Sequence, residues 1–64
     1  MKRRDLERHL REHGCEQVDE GGNHARWRGP TDERSAIPRH REISYLLART
    51  ICRQLDVPPP DGSR

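Results

Sequence analysis

The chain has 64 residues, of which 28% are hydrophobic and 38% are charged, and its formal net charge is +2. This length allows one small domain with a thin core, and so polar a composition borders on that of disordered chains. No apolar run reaches the length of a signal peptide core or a membrane span, so we expect a cytoplasmic protein with no membrane contact.

The first predicted element is a helix over residues 3–13. Leu6 and Leu10 lie four residues apart on one face, and Gly14 is placed to end the helix. His9 and His13 have the same spacing and could pair on a metal ion. No glutamate at the metalloprotease position and no close cysteine pair accompanies them. The sequence therefore predicts no metal site and no cofactor.

Two strands joined by a turn are predicted next. Residues 15–20 form a weak strand candidate, because Cys15 and Val18 break strict alternation. Gly21–Asn23 contains residue types that tolerate positive φ, which is typical of a turn. Residues 24–28 then alternate regularly and give the clearest strand pattern in the chain.

The second strand is predicted to have one apolar and one cationic face. Ala25 and Trp27 lie on the apolar side. The other side carries a histidine and two arginines: His24, Arg26 and Arg28.

The two cysteines, Cys15 and Cys52, do not indicate a disulfide framework. They fit small buried thiols of a protein from a reducing compartment better.

A third strand and a second helix complete the predicted fold. Residues 34–38 form a strand that ends at Pro38 or lies at an edge, because proline lacks an amide donor. Residues 45–55 form a helix with Ser44 as its N-cap. The order α-β-β-β-α predicts an α+β domain with a three-stranded antiparallel sheet and both helices on one face.

The predicted core has members in both helices and in all three strands. Its residues are Leu6, Leu10, Val18, Trp27, Ile37, Leu47, Ile51 and Leu55. Residues 1–57 are predicted to form the domain, and residues 58–64, which begin with three prolines, a flexible C-terminal tail.

His24 is the candidate for chemistry. An imidazole can take a proton near neutral pH, and Arg26 and Arg28 share its strand face. A base flanked by guanidinium groups suits attack of a ribose 2′-hydroxyl on a phosphodiester, with the cations stabilising the phosphorane. The alternative stays open, since a histidine on a polar strand face often has no catalytic role and a run of charges is often a solvated surface.

Several short motifs, in a fixed order, resemble those of HicA-type toxins of the HicA/HicB toxin–antitoxin systems, formerly grouped as YcfA-like. The similarity spans residues 2–57. The matching pieces are Arg4-Asp5-Leu6, Gly14, Gly22-Asn23-His24, Trp27, Ile37-Pro38-Arg39-His40, Glu42-Ile43 and Ile51-Cys52-Arg53-Gln54-Leu55.

The resemblance implies a fold like the double-stranded RNA-binding domain and one catalytic histidine, which maps to His24. It implies a metal-independent endoribonuclease that cleaves mRNA as an mRNA interferase and is inhibited by a HicB-type antitoxin. The RNA contacts are expected at Gly22, Asn23, Arg26, Arg28, Arg39, His40 and Arg41.

This chain departs from the family pattern around the histidine. Many relatives have serine or threonine before it and a second histidine after it, where this chain has Asn23 and Ala25. Two further readings therefore stay open. One is a small RNA-binding module, or an inactive toxin relative, that cleaves nothing; the other is a structural subunit that exists to be bound by a partner.

Overall fold

The structure, a computed structural model, describes residues 1–60. Its elements are α1 (Arg3–Glu12), β1 (Glu16–Gly21), β2 (His24–Arg28), β3 (Arg34–Pro38) and α2 (Tyr45–Gln54). The predicted order α-β-β-β-α is confirmed. Two local signals act as predicted: Gly14 has φ +89° just beyond α1, and the Ser44 hydroxyl accepts the Leu47 N–H at 3.2 Å at the start of α2.

The three strands form one antiparallel sheet in the order β1-β2-β3, so β2 is central. His24, at the start of β2, pairs with Gly21 of β1 and with Pro38 of β3. The β1–β2 register shifts between Gln17 and Asp19, which leaves Val18 unpaired in a bulge. As predicted, β3 is an edge strand and ends at Pro38.

Both helices pack on one face of this sheet. In β2 the side chains of Ala25 and Trp27 are buried, whereas His24 and Arg26 are exposed on the opposite face. The hydrophobic core comprises Leu6, Leu10, Cys15, Ala25, Trp27, Ile37, Ile43, Ala48, Ile51, Cys52 and Leu55. The open face of the sheet therefore carries mainly polar side chains.

Two of the predicted core residues are wrong. Val18 is 41% exposed, because it lies in the bulge of an edge strand whose six residues are all exposed. Leu47 is 37% exposed, because the buried face of α2 centres on Ala48, Ile51 and Cys52. The buried stripe keeps the predicted Ile51 and Leu55, and Ala48 and Cys52 take the place of Leu47.

The start of the chain runs antiparallel to the segment that precedes α2. The Ile43 N–H donates to the Met1 carbonyl at 2.8 Å, and the Arg3 N–H donates to the Arg41 carbonyl at 2.9 Å. Lys2 and Glu42 form a bridge between these two contacts. This pairing joins residues about forty positions apart in the sequence.

The segment after α2 returns to both helices. Nε2 of His9 lies 2.8 Å from the carbonyl oxygen of Pro58, and the Tyr45 hydroxyl donates to the Pro60 carbonyl at 3.2 Å. Of the predicted tail, residues 61–64 lie outside the described residues. Neither helix is long and apolar enough to cross a membrane, among the residues that the structure describes.

Both cysteines are buried and free, as predicted. Burial, together with a smaller contribution from the neighbouring Cys15 thiol, raises the pKa of the Cys52 thiol from 9.0 to about 11. Burial also raises the pKa of Cys15, with a second contribution from the Glu33 carboxylate. These thiols are therefore neutral packing groups of the core and not nucleophiles.

Candidate functional site

His24 lies at the point where the turn after β1 enters the sheet. Its two partners across the strands are Gly21, which has no side chain, and Pro38, which has no polar one. The imidazole is exposed, and within residues 1–60 it makes no hydrogen bond to another group. This position leaves the ring open to a substrate that approaches the outer face of the sheet.

The turn itself is tied to the end of β3. Gly22 has φ +51°, a conformation that glycine adopts without strain, and the space beside it is open. The carbonyl oxygen of Asn23 accepts the Arg39 N–H at 3.0 Å. The fold thus brings the predicted site residue Arg39 next to Asn23 and His24, which lie at least fifteen positions earlier in the sequence.

The two arginines that share the face of His24 have acidic partners. Arg26 forms an ion pair with Asp19, and Arg28 forms one with Glu16. Both carboxylates belong to β1, directly across the sheet from the arginine that each contacts. Exposed pairs of this kind contribute about 0–1 kcal/mol, so a phosphate can replace either carboxylate. In the free protein these two ion pairs add no net charge to the face.

The three residues after β3 that were predicted to contact RNA differ in their surroundings. Arg39 contacts Glu20 at 2.7 Å, so it too has an acidic partner. His40 is exposed, with no hydrogen bond from its ring to any described residue. Arg41 points into a different surface, which we call the basic groove and define by its lining residues, Lys2, Arg3, Arg4, Arg39 and Arg41.

The contribution of the N-terminal segment to this surface could not be predicted from the sequence. Lys2, Arg3 and Arg4 are visible as a run of cations, but no local pattern places them beside Arg41. That proximity follows from the backbone bridge between residues 1–3 and 41–43. Only a contact between distant segments of the chain could have revealed it.

His9 of α1 and His13, the C-cap residue of that helix, contact each other and nearby backbone carbonyls. Their ring centroids are 4.4 Å apart, and Nδ1 of His13 lies 2.9 Å from the carbonyl oxygen of His9. Nε2 of His9 is already engaged with Pro58. No group of three or more metal-ligating side chains occurs among residues 1–60.

The family model of the HicA toxin of bacterial toxin–antitoxin systems matches residues 3–57. This range extends from the start of α1 to just beyond α2 and includes His24 and its turn. No curated protein and no solved structure shows a significant match to the chain.

Proposed function

The chain belongs to the HicA family of toxins of bacterial toxin–antitoxin systems, and on that premise we propose that it is an endoribonuclease that cleaves mRNA with His24 as general base. Family membership supplies the biological setting, a toxin with an antitoxin partner. The open position of His24 supports the catalytic assignment.

The observation that carries the proposal is the unobstructed imidazole at the start of β2. Gly21 and Pro38 flank His24 in the sheet and place no polar group over it. A general base must reach the proton that it removes, either directly or through one water molecule. A ribose laid across this end of the sheet can present its 2′-hydroxyl to the exposed ring.

The proposed reaction is an internal displacement at phosphorus. Neutral His24 takes the proton of the 2′-hydroxyl, and the 2′-oxygen bonds to the adjacent phosphorus. The bond to the 5′-oxygen breaks, and that oxygen takes a proton from solvent. The products are a 2′,3′-cyclic phosphate and a 5′-hydroxyl end. Arg26 and Arg28, once their carboxylates exchange for phosphate oxygens, stabilise the charge that develops on the phosphorane.

The experiment compares three proteins on a mixed RNA substrate in EDTA. His24→Ala should lower the cleavage rate by about 10²–10⁴-fold, the usual effect of losing a general base. His13→Ala is the matched control, because it removes an exposed histidine from the C-cap of α1, away from the open face of the sheet. Calorimetry on all three proteins separates loss of activity from loss of fold. Cleavage by His24→Ala at the wild-type rate contradicts the catalytic role.

A second candidate function is an RNA-binding module that cleaves nothing. The observation that favours it is the lack, within residues 1–60, of any group that orients the His24 ring by a hydrogen bond. The same experiment decides between the two functions. Wild-type protein that shifts RNA in a gel but leaves it intact supports the binding module.

We also propose that a HicB-type antitoxin covers the open face of the sheet. That surface carries His24 and the arginines of β2, which an RNA substrate would need. Both edge strands, β1 and β3, have one side without a strand partner among the described residues. An acidic surface or an added strand could dock there and block access to His24.

A further inference from the structure

We infer that the basic groove binds the phosphate backbone of the RNA beside the bond that is cut, an assignment that rests on the proposed function. The groove is lined by Lys2, Arg3, Arg4, Arg39 and Arg41. It lies off the open face of the sheet, at the junction of α1 with the segment that precedes α2.

The backbone holds these cations together. The N–H of Arg3 donates to the carbonyl of Arg41 at 2.9 Å, and Lys2 bridges to Glu42. Two short basic stretches from opposite parts of the chain are thereby fixed side by side. Like charges held this close repel one another, and a polyanion laid between them removes that repulsion.

The groove also differs from the sheet in how its charges are balanced. Arg3 lies 3.6 Å from Glu7, and Arg39 lies 2.7 Å from Glu20. Lys2, Arg4 and Arg41 have no carboxylate within 4.0 Å among residues 1–60. On the sheet, by contrast, both Arg26 and Arg28 are paired. The cations available without displacing a carboxylate are therefore in the groove.

The groove begins next to the candidate catalytic residue. Pro38 is the strand partner of His24. The next residue, Arg39, donates a hydrogen bond from its backbone N–H to the carbonyl oxygen of Asn23. Two residues further, Arg41 joins the N-terminal cations. At about 3.3–3.6 Å per residue this stretch spans no more than roughly 10 Å. A strand of RNA with one phosphate at His24 can therefore place its next phosphates in the groove.

The test measures binding separately from cleavage. The probe is a fluorescent single-stranded RNA with 2′-O-methyl groups, which lacks the nucleophilic hydroxyl and cannot be cut. The groove variant is Lys2→Gln with Arg4→Gln and Arg41→Gln, all at exposed positions. The control variant, Arg8→Gln with Arg49→Gln and Arg53→Gln, removes the same charge from exposed positions outside the groove. Thermal unfolding checks that both fold.

The groove variant should bind the probe at least ten-fold more weakly than wild type. The slope of log affinity against log salt concentration should fall by about two units, because each lost phosphate contact lowers it by about 0.7. The control variant should retain most of the affinity and slope. Equal losses in the two variants overturn the inference, because net charge alone would then explain binding. Intact RNA binding with lost antitoxin binding in the groove variant also overturns it and assigns the groove to the antitoxin.

The inference and the proposed function fail in different ways. If wild type binds the probe through the groove but never cuts unmodified RNA, the catalytic proposal fails and the groove stands. If wild type cuts RNA but the groove variant cuts with unchanged KM and binds the probe normally, the groove assignment fails alone. The expected result is a raised KM with kcat close to that of wild type.

Discussion

Asp19 of β1 lies opposite Arg26 of β2, and their side chains form an ion pair across the open face of the sheet. The neighbouring pair, Glu16 and Arg28, repeats the arrangement. Under the proposed function, the acidic residues of this edge strand would compete with RNA for the arginines beside His24. RNA binding at this face would then exchange one anion for another.

This exchange predicts that replacing the acidic residues and replacing the arginines have opposite effects on RNA affinity. Asp19→Asn with Glu16→Gln should tighten RNA binding several-fold, because the arginines are then free of competing carboxylates. Arg26→Ala with Arg28→Ala should weaken binding and lower the salt slope by two units at most. The measurement is fluorescence anisotropy with the uncleavable RNA across a salt series.

Glu12→Gln with Asp56→Asn is the charge-matched control for the acidic pair, since both residues are exposed and lie outside the sheet. If it tightens binding as much as the Asp19 and Glu16 changes do, the effect comes from net charge and not from local competition.

Ile51 and Leu47 test the orientation of α2. Ile51 is 1% exposed and Leu47 is 37% exposed. Ile51→Ala should lower the free energy of unfolding by about 2–5 kcal/mol, because it leaves a cavity in the core. Leu47→Ala should lower it clearly less, as the side chain is already partly in water. Urea denaturation of the two variants decides the point, and equal losses would contradict this orientation of the helix.

Gly29 is required by a close approach between the end of β2 and the end of α2. A Cβ atom at this position would overlap the carbonyl oxygen of Leu55 and the Glu33 carboxylate. Gly29→Ala should therefore destabilise the domain by about 1–3 kcal/mol, as overpacking does. Gly21→Ala is the control, since nothing lies within 4 Å of its added Cβ. Melting temperatures that fall equally in both variants would refute the clash.

Cys52 predicts a loss of stability in alkaline solution. Burial raises the pKa of its thiol in the folded protein to about 11, from 9.0. Below about pH 9 the thiol is neutral in both states, and its contribution to stability is fully present. As pH rises from 9 towards 11 the unfolded chain loses this proton first, so the free energy of unfolding falls, by at most about 1.4 kcal/mol per pH unit.

Cys52→Ala removes this titration and should show a shallower decline over the same pH range. Urea denaturation at a series of pH values measures both slopes. Identical slopes in wild type and variant would show that other groups account for the alkaline sensitivity.

Antitoxin binding should protect the open face of the sheet. Hydrogen exchange of the toxin with and without its partner should slow most at the turn that precedes His24 and along the free edge of β1 or β3. Protection confined to the outer faces of α1 and α2 would mean that the antitoxin inhibits by some other route than covering His24.

Local sequence patterns were sufficient for most of the fold. The glycine after α1 and the Ser44 cap set helix boundaries that depend only on neighbouring residues. The alternation of Ala25 and Trp27 with polar residues defined both faces of β2. Such signals operate over a few residues, so they can be read before any tertiary contact is known.

The features that could not be predicted depend on contacts between distant segments. Val18 is apolar, but a bulge in the β1–β2 pairing leaves it on an exposed edge. The acidic partners of Arg26 and Arg28 follow from strand register. The basic groove follows from a bridge between the N-terminal segment and the segment that precedes α2. The candidate base, His24, was found because its turn and its strand face are both local.

The core draws on the first and last elements of the fold together, and this has a consequence for synthesis of the protein. A ribosome that has released residues 1–44 has delivered the whole sheet and α1, but not Ile51, Cys52 and Leu55, which belong to the same core as Trp27 and Ile37. Until α2 emerges, the part of the inner face that α1 does not cover is open to water, and the nascent chain has no complete core. Translation through α2 is therefore the step at which a folded toxin first exists, so any partner that needs the finished domain can act only after that moment.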